Sequence, residues 1–238
     1  LHLLGIMTDQ VVFVTGTDTG SGKTVLTSLL LEHLRKRGVN ALAMKPVCTG
    51  PRDDVNLLQS LQGNKLSDEC INPFHYKVPA APVVAANRYK QKVKLQHVLR
   101  SIGRVKEHCD ILLIEGAGGL MVPLNEQGQT WADLLKKLKC PTIVAAPNKL
   151  GVINSTLLTV DKLNSIGIKD VTVSLINFGK KKRELIPERT NYAVLGKILN
   201  ETPVFELPYL GRGSIKKAQI IQGSKKIEKI LAQIINTV

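Results

Sequence analysis

The chain has 238 residues, 43% of them hydrophobic but only 4% aromatic, so we expect one α/β domain with a core of aliphatic side chains. Its four cysteines form no CxxC pair, which argues against a zinc or thioredoxin-like site and favours reduced thiols in a cytoplasmic protein, and no apolar run approaches the roughly 20 residues of a membrane span. The net charge of +14 favours an anionic partner, such as nucleic acid, a membrane surface or a phosphorylated small molecule, or reflects a lysine-rich solvated surface.

Two short segments lie outside the predicted strands and helices: the N-terminal residues and one basic run. Met7 is followed by polar residues and resembles a native start, so we interpret residues 1–6 as a non-native or start-site extension. Residues 7–238 are then expected to form a single domain. The basic run at 180–183 has no interleaved aromatic residues, so we interpret it as a surface loop and not as a nucleic-acid-binding segment.

Apolar strands alternate with amphipathic helices along the chain. The predicted strands are residues 11–15, 39–44, 111–114, 142–146, 171–176 and 204–207. The predicted helices are residues 24–37, 53–61, 94–108, 131–138, 153–163, 191–199 and 215–235. The segment 63–91 is broken by three prolines and shows no clear pattern. Strands that are apolar throughout and followed by helices predict a mostly parallel sheet with helices on both faces, and with ligands at the carboxyl ends of its strands.

The segment GTDTGSGKT at residues 16–24 follows the first strand and opens the first helix. Here glycines let successive backbone N–H groups surround an anion, and the helix N-terminus adds positive partial charge. The candidate phosphate-binding residues are Thr19, Gly20, Ser21, Gly22, Lys23 and Thr24. Lys23 would reach the β- and γ-phosphates, and Thr24 would ligate Mg²⁺. The loop predicts a three-layer fold of the P-loop NTPase type.

One feature of this loop departs from the usual motif. Five residues separate Gly16 from Gly22, where the usual motif has four and would place a glycine at Thr17. A glycine-rich turn that binds nothing is therefore the alternative interpretation.

A carboxylate ends the third predicted strand. Glu115 follows the apolar residues 111–114, at the position where an acid that holds Mg²⁺ or its water ligands belongs. The next residues, Gly116, Ala117 and Gly118, would let the backbone approach a ligand closely. The alternative is an ordinary turn with a chance acid.

The second predicted strand ends in Lys45, which would point into the same crevice and face a transferred phosphate. An ordinary surface lysine is the alternative. Thr49 and Gly50 would then supply a hydroxyl and a flexible turn. Asp53 and Asp54 begin the next helix, where a carboxylate is often only a helix cap.

Residues after two later strands bear on the nucleotide base. The segment NKLG at 148–151 matches the Asn-Lys-x-Asp pattern that reads guanine in GTPases, except that Gly151 stands in place of the acid. This difference favours ATP. Asn177 follows the strand at 171–176, and its amide can donate and accept as an adenine edge requires. A turn-forming asparagine is the alternative.

Together these segments resemble the dethiobiotin synthetases over residues 11–210. The resemblance rests on four segments in this order: GTDTGSGKT at 16–24, KPVCTG at 45–50, EGAGGL at 115–120 and LGVIN at 150–154. The longer loop spacing is the family's own. The resemblance implies an ATP-dependent cyclo-ligase of biotin biosynthesis, which converts 7,8-diaminopelargonate and CO₂ to dethiobiotin, with ADP and phosphate as the other products.

The implied mechanism has three steps. An amine captures CO₂ as a carbamate, the carbamate oxygen attacks the γ-phosphate to give a carbamic–phosphoric anhydride, and the second amine closes the cyclic urea. Because two anions must meet, positioned cations are needed between them.

The resemblance also implies roles for individual residues. Lys45 and Lys23 match the catalytic lysine and the phosphate-loop lysine, and Thr24, Asp54 and Glu115 match the Mg²⁺ ligands, with Asp53 a less favoured alternative to Asp54. The implied ATP-binding residues are Thr19, Gly20, Ser21, Gly22, Lys23, Thr24, Asp54, Glu115, Gly116, Ala117, Gly118, Asn177, Pro208, Tyr209 and Leu210. The implied substrate contacts are Thr49, Gly118, Gly151 and Asn154.

The family is homodimeric, with its substrate near the interface, so the segment 151–154 would come from the partner chain. As this segment opens a helix, its N–H groups could hold the substrate's carboxylate. Cys48, Ser155 and Ser21 depart from the residues usual in the family. None of them removes a catalytic group, but the sensitivity of Cys48 to alkylation stays open.

Two other classes are weighed against this assignment. A related P-loop amide ligase would carry a glutaminase domain, and the chain ends too soon after the ATPase part for one. A partition-type, DNA-associated ATPase would have a lysine where Asp18 stands. We therefore expect the diamine and CO₂ as partners, and neither nucleic acid nor a membrane.

Overall fold

The computed structural model describes residues 10–89, 91–179, 186–210 and 216–238. The predicted extension at 1–6, the basic run at 180–183 and residue 215 lie outside the described residues. Within the described ranges, the helices include none that combines the length and the apolar character needed to cross a membrane.

Strands and helices alternate along the described residues. The strands are β1 (Gln10–Gly16), β2 (Ala41–Met44), β3 (Val47–Thr49), β4 (Phe74–Tyr76), β5 (Ile111–Glu115), β6 (Thr142–Pro147), β7 (Val171–Ile176) and β8 (Val204–Leu207). The helices are α1 (Lys23–Lys36), α2 (Asp53–Leu61), α3 (Asp68–Ile71), α4 (Pro82–Tyr89), α5 (Leu95–Lys106), α6 (Trp131–Leu138), α7 (Val152–Ser165), α8 (Ile186–Ile198), α9 (Lys217–Lys226) and α10 (Glu228–Ile235).

The central sheet has six strands in the order β2-β5-β1-β6-β7-β8, and every pairing in it is parallel. These are the six strands predicted from apolar runs. β2, β5, β6 and β7 are buried at every residue, as a parallel sheet covered by helices on both faces requires. The predicted three-layer P-loop NTPase-type fold is confirmed.

The strand order places the site. β1 lies in the interior of the sheet, with β5 and then β2 on one side of it and β6, β7 and β8 on the other. In a parallel sheet the carboxyl ends of all strands lie at one edge. The residues that follow β1, β2, β5 and β7 therefore lie along one edge of the sheet, although they are far apart in sequence.

A small second sheet lies in a region that the sequence did not resolve. β3 and β4 pair in parallel, with Thr49 opposite Tyr76. Each strand has three residues, which is too short for any alternation or apolar run to reveal it. Thr49 is therefore the last residue of a strand, and the predicted turn begins at Gly50, whose φ is 84°.

The C-terminal segment forms two helices where the sequence predicts one. The break lies at the buried Ile227, whose φ of −115° and ψ of 25° are not helical. Before it, α9 packs so closely on α1 that a Cβ on Gly223 would lie 3.4 Å from Leu29 Cδ2. After it, α10 contacts both α1 and β8. The apolar pattern continues through Ile227, so only the packing shows the break.

Candidate active site

The loop between β1 and α1 has a backbone shape that depends on its glycines. Gly20 and Gly22 have φ values of 71° and 91°, in the left-handed region that favours glycine. A side chain at Gly22 is also excluded by contact, because a Cβ there would lie 2.6 Å from Ile176 Cδ1. The loop therefore has the form expected of one that curls its backbone around an anion.

A cavity of about 600 Å³ lies over this loop, within the size range of small-molecule sites. Twelve of the predicted site residues line it: Thr19, Gly20, Ser21, Gly22, Lys23, Thr24, Lys45, Thr49, Asp54, Glu115, Ala117 and Gly118. Asp53 lines it too, together with Val25, Leu57 and Phe178, which the sequence did not single out. We call this the phosphate-loop cavity.

Lys23 is held inside the loop by the loop's own oxygens. Its Nζ donates to the carbonyl oxygen of Asp18 at 3.0 Å and to Ser21 Oγ at 3.4 Å. Burial is the main cause that lowers the pKa of Lys23 to about 8; the charge of Glu115 opposes this shift and the positive charge of Lys45 adds to it. This ammonium has no carboxylate among its hydrogen-bond partners in the described residues, so its charge is available to a phosphate.

Lys45 connects two acids across the cavity. Its Nζ donates to Glu115 Oε1 at 2.8 Å and to Asp54 Oδ2. Burial by itself would favour the neutral amine, but the two carboxylates outweigh it and raise the pKa of Lys45. Lys45 is therefore a charged, buried cation on the wall of the cavity and not an ordinary surface lysine.

The acids around Lys45 fit a hard metal ion such as Mg²⁺. Glu115 is fully buried, and its Oε2 has no hydrogen-bond partner among the described residues. Thr24 Oγ1 donates to Glu115 Oε1 at 2.7 Å, so a hydroxyl and a carboxylate from α1 and β5 meet at one point. An orphaned carboxylate oxygen, a hydroxyl and a second carboxylate from Asp54 are the ligands that Mg²⁺ prefers, with phosphates and water completing its shell.

Asp54 is not the N-cap residue of α2, which was the alternative to a role in the site. The N-cap residue of α2 is Arg52, and Asp53 and Asp54 both lie in the first helical turn. The Asp54 carboxylate contacts Lys45 across the cavity. This contact distinguishes Asp54 from Asp53, which lines the same cavity.

The glycine-rich turn after β5 divides between the cavity and the wall behind it. Gly118 and Ala117 line the cavity, and Gly118 has a φ of 66°. Gly116 lies behind them, where a Cβ would stand 3.1 Å from Phe13 Cζ. Gly116 is thus a residue that the backbone needs for close packing, whereas Gly118 is a residue that a ligand can reach.

The residues predicted for the adenine site do not line the phosphate-loop cavity. Asn177 Oδ1 accepts from Asn148 Nδ2 at 2.9 Å, and Asn177 Nδ2 donates to Glu206 Oε1 at 2.9 Å. Asn148 Oδ1 in turn accepts from Asn191 Nδ2 at 2.9 Å. Because each amide atom can make two hydrogen bonds, Asn177 keeps one donor and one acceptor that these contacts do not use.

Pro208, Tyr209 and Leu210 lie just beyond β8, half-buried. Leu210 reaches toward α9, since a Cβ on Gly223 would lie 3.3 Å from Leu210 Cδ1. The predicted role of these three residues in holding adenine stays a prediction, as does that of Asn177.

Gly151 and Asn154 also lie away from the phosphate-loop cavity. Gly151 is the N-cap of α7, with a φ of 90°, and is exposed. Asn154 lines a second cavity of about 430 Å³, with Thr17, Gly119 and Met121 among its other walls. Within one chain, these two residues do not reach the cavity that holds Lys23 and Lys45.

Phe178 is one of the three residues of the cavity wall that sequence reasoning missed. It comes one position after Asn177, at the carboxyl end of β7, where the parallel-sheet rule directs attention. The sequence offered a reason to choose the polar residue of the pair but none to choose the aromatic one.

Cys48 lies beside this site but inside the protein. It is buried, and burial raises the pKa of its thiol above the ordinary value. A buried thiol with a raised pKa reacts slowly with alkylating agents, because the thiolate is the reactive form.

Comparisons with known proteins agree on one family. A protein-family model described as an AAA domain matches residues 10–206. A protein named ATP-dependent dethiobiotin synthetase BioD from Thermodesulfovibrio yellowstonii is 35% identical over 214 residues, which cover 83% of this chain and 88% of that protein. Proteins of the same name from Methanocaldococcus jannaschii and Bacillus subtilis subsp. natto are 34% and 41% identical, over 83% and 66% of this chain and 97% and 69% of theirs.

Solved structures show the same fold at lower identity. The MinC:MinD cell division protein complex of Aquifex aeolicus matches with a TM-score of 0.58 and 11% identity, over 96% of this chain and 93% of that one. The MinD cell division protein of the same organism matches with a TM-score of 0.55 and 13% identity, over 96% and 94% of the two chains. At these identities the likeness concerns the fold alone.

Proposed function

This chain belongs to the ATP-dependent dethiobiotin synthetase family, and we propose that it forms dethiobiotin from 7,8-diaminopelargonate, CO₂ and ATP by the three steps that the family resemblance implies. The observation that carries the proposal is the meeting of Lys23, Lys45, Asp54 and Glu115 in one cavity. These side chains come from the phosphate loop, the residue after β2, α2 and β5, and the fold brings them together.

The charges of the cavity suit a reaction between two anions. The carbamate oxygen attacks the γ-phosphorus, and the bond from this phosphorus to the β–γ bridging oxygen breaks, so that ADP leaves. Lys23 and the loop amides bind the phosphates, and Lys45 neutralises the oxygens that approach one another. Charged donors fixed in a closed site stabilise such a transition state more strongly than water does.

The same residues serve the ring closure. The second amine attacks the carbamoyl carbon of the mixed anhydride, and the bond from that carbon to the phosphate oxygen breaks. Lys45 stabilises the departing phosphate, whose charge grows in this step. Thr49, at the end of β3, places a hydroxyl on the cavity wall for orienting the substrate.

Thr24, Asp54 and Glu115 are the residues that would hold Mg²⁺. Two carboxylates and a hydroxyl leave room for phosphate oxygens and water, as magnesium sites in nucleotide enzymes usually do. When bound, the metal ion supplies additional positive charge at the phosphates.

The proposed active unit is a homodimer. Met121, Leu150 and Leu158 are apolar residues with exposed side chains, and Met121 and Leu158 flank Asn154 in the second cavity. Covering this surface with a second copy would bring Gly151 and Asn154 of one chain toward the site of the other. We expect a dimer in sedimentation equilibrium, and Leu158→Glu should yield a folded monomer with reduced activity; a fully active monomer would contradict the shared site.

Product analysis tests the proposed reaction directly. The protein is incubated with ATP, Mg²⁺, labelled bicarbonate and 7,8-diaminopelargonate, and the label that survives acid is measured together with ADP. A free carbamate loses CO₂ in acid, whereas the cyclic urea retains it, so acid-stable label should appear in equal amount to ADP. Reactions without the diamine, without ATP or without Mg²⁺ are the controls. Absence of acid-stable label from the complete reaction would reject the assignment.

ATP and bicarbonate are both available in the cytoplasm, and this is the location that we propose for the enzyme. Cys48, Cys70 and Cys140 form no disulfide bond with the residues that the structure describes, which agrees with a reducing compartment.

A further inference from the structure

Phe178 occupies an unusual place for an apolar side chain. It is 50% exposed, and it lines the phosphate-loop cavity. Single exposed apolar residues are common on protein surfaces and need no explanation by themselves. Among the large apolar side chains that are exposed in the described residues, however, Phe178 is the one that faces this cavity.

The ring lies against the phosphate loop. A Cβ built on Gly22 would lie 3.2 Å from Phe178 Cζ and 2.6 Å from Ile176 Cδ1. Ile176 and Phe178 are two residues apart, and side chains at this spacing in extended backbone point to the same side. The absent side chain of Gly22 therefore makes room for the Phe178 ring beside the first turn of α1.

The strand order shows which end of the cavity the ring occupies. Lys45 follows β2 and Glu115 ends β5, on one side of β1, whereas Phe178 follows β7, on the other side. With neighbouring strands roughly 4.8 Å apart, the four intervals from β2 to β7 amount to roughly 19 Å. A nucleotide with its terminal phosphate beside Lys45 therefore extends its base toward Phe178.

The neighbouring residue, Asn177, does not share the cavity surface with the Phe178 ring. The Asn177 amide is bound on both of its polar atoms, by Asn148 and Glu206, and Asn177 does not line the cavity. At this end the cavity thus offers a half-exposed aromatic ring next to the phosphate loop.

We propose that Phe178 is a nucleotide-binding residue on whose ring the base of the bound triphosphate stacks; this inference rests on the proposed use of ATP. Aromatic rings and bases attract one another through their faces, and the attraction is similar for all bases because each has such a face. Phe178 therefore contributes to affinity for the nucleoside without distinguishing one base from another.

Nucleotide binding to the whole protein tests this proposal, and calorimetry in the absence of the diamine measures it. Phe178→Ala should weaken ATP about tenfold, within the range reported for loss of one base–aromatic stack. Phe178→Tyr should bind ATP as the parent protein does, and Phe178→Leu should behave like the alanine variant because it keeps the bulk but not the flat face. Tyr192→Ala, which removes an exposed aromatic from α8 outside the cavity, is the matched control.

Inorganic tripolyphosphate separates stacking from damage to the loop. Its affinity should be the same in the parent protein and in all Phe178 variants, since it has no base. GTP should weaken by the same factor as ATP in Phe178→Ala. An unchanged affinity of Phe178→Ala for ATP would overturn the proposal, and so would an equal loss for ATP and tripolyphosphate, which would assign Phe178 to loop packing.

This test is independent of turnover. If the parent protein forms no dethiobiotin but Phe178→Ala loses affinity for ATP and not for tripolyphosphate, the stacking role is supported and the proposed reaction is rejected. If dethiobiotin forms and the variant binds ATP normally, the reaction stands and the stacking role falls.

Discussion

The two ends of the candidate site are built from different chemistry, with the phosphate-loop cavity at one end and an amide network outside that cavity at the other. At the end near β2 and β5, the charged side chains of Lys45, Asp54 and Glu115 contact one another, and Glu115 is fully buried. At the end near β7 and β8, neutral amides are joined in a network that includes Asn148, Asn177 and Asn191, with Glu206 as its one acid. We call these the charged end and the amide end.

The difference indicates a division of labour. Burying a charge costs free energy unless it is paired, so a protein keeps such a cluster where the charges act on a ligand. Hydrogen-bonded amide groups cost little free energy to bury, and their directional donors and acceptors suit recognition of a base. The charged end should therefore determine the rate of the reaction, and the amide end should determine which nucleotide binds and how tightly.

The largest expected effect is at the charged end. Lys45→Ala should lower kcat by about a hundredfold or more, because one positioned charge is lost from the transition state. Lys137→Ala on α6, an exposed lysine outside the cavity, is the control and should be near normal. Steady-state kinetics measures both, and circular dichroism shows that each variant is folded. Near-normal turnover by Lys45→Ala would remove Lys45 from the catalytic residues.

Matched substitutions of the two acids should differ in stability. Glu115→Gln leaves the buried Lys45 with one carboxylate partner, so the free energy of unfolding should fall by about 2 kcal/mol. Glu206→Gln keeps an acceptor for neutral amide donors at a half-buried site, and we expect a change below about 1 kcal/mol. Urea unfolding without ligands compares the two variants. Equal losses would show that the two ends are not distinguished by buried charge.

Asn177→Ala should separate binding from catalysis. The proposed contact of Asn177 with the base would stabilise ground state and transition state alike, so on its loss KM for ATP should rise by about tenfold while kcat changes little. Asn191→Ala, which removes a more distant member of the network, is expected to have a smaller effect. A fall in kcat without a change in KM would show that Asn177 acts in catalysis and not in nucleotide binding.

The smallest expected effect concerns Cys48, beside the charged end. Because burial raises the pKa of this thiol, iodoacetamide at pH 8 should modify it at least about ten times more slowly than the half-exposed Cys70. Mass spectrometry of the partly alkylated protein measures the two rates, and the unfolded protein, in which both react, is the control. Rapid modification of Cys48 would show that the charged end opens in solution.

Much of the fold could be predicted because the buried strands of a parallel sheet appear in the sequence as short apolar runs. β1, β2, β5, β6, β7 and β8 were all indicated in this way. β3 and β4 were missed because three residues carry no periodicity, and the break at Ile227 was missed because the apolar pattern continues across it. In each case the structure depends on long-range packing and not on local pattern.

The candidate site divides in a similar way. Lys23 and Thr24 could be predicted from the loop motif alone, since their geometry is set within a few residues. The roles of Lys45, Asp54 and Glu115 could be assigned only with the family resemblance. Taken singly, each residue had an ordinary structural alternative: a surface lysine, a helix cap or a chance acid in a turn. Phe178 was missed, because an aromatic residue at a strand end carries no signal until its neighbours are known.

The sequence by itself determined the glycine loop, the apolar strands and the rule that ligands lie at the strands' carboxyl ends, because these depend on backbone conformation and local hydrophobic pattern. Only the tertiary structure decided that Lys45 binds both Asp54 and Glu115, and that Asn177 turns to a network while Phe178 faces the cavity. The physical reason is that side-chain contacts and burial arise from strands brought together across the sheet, at separations that no local pattern encodes.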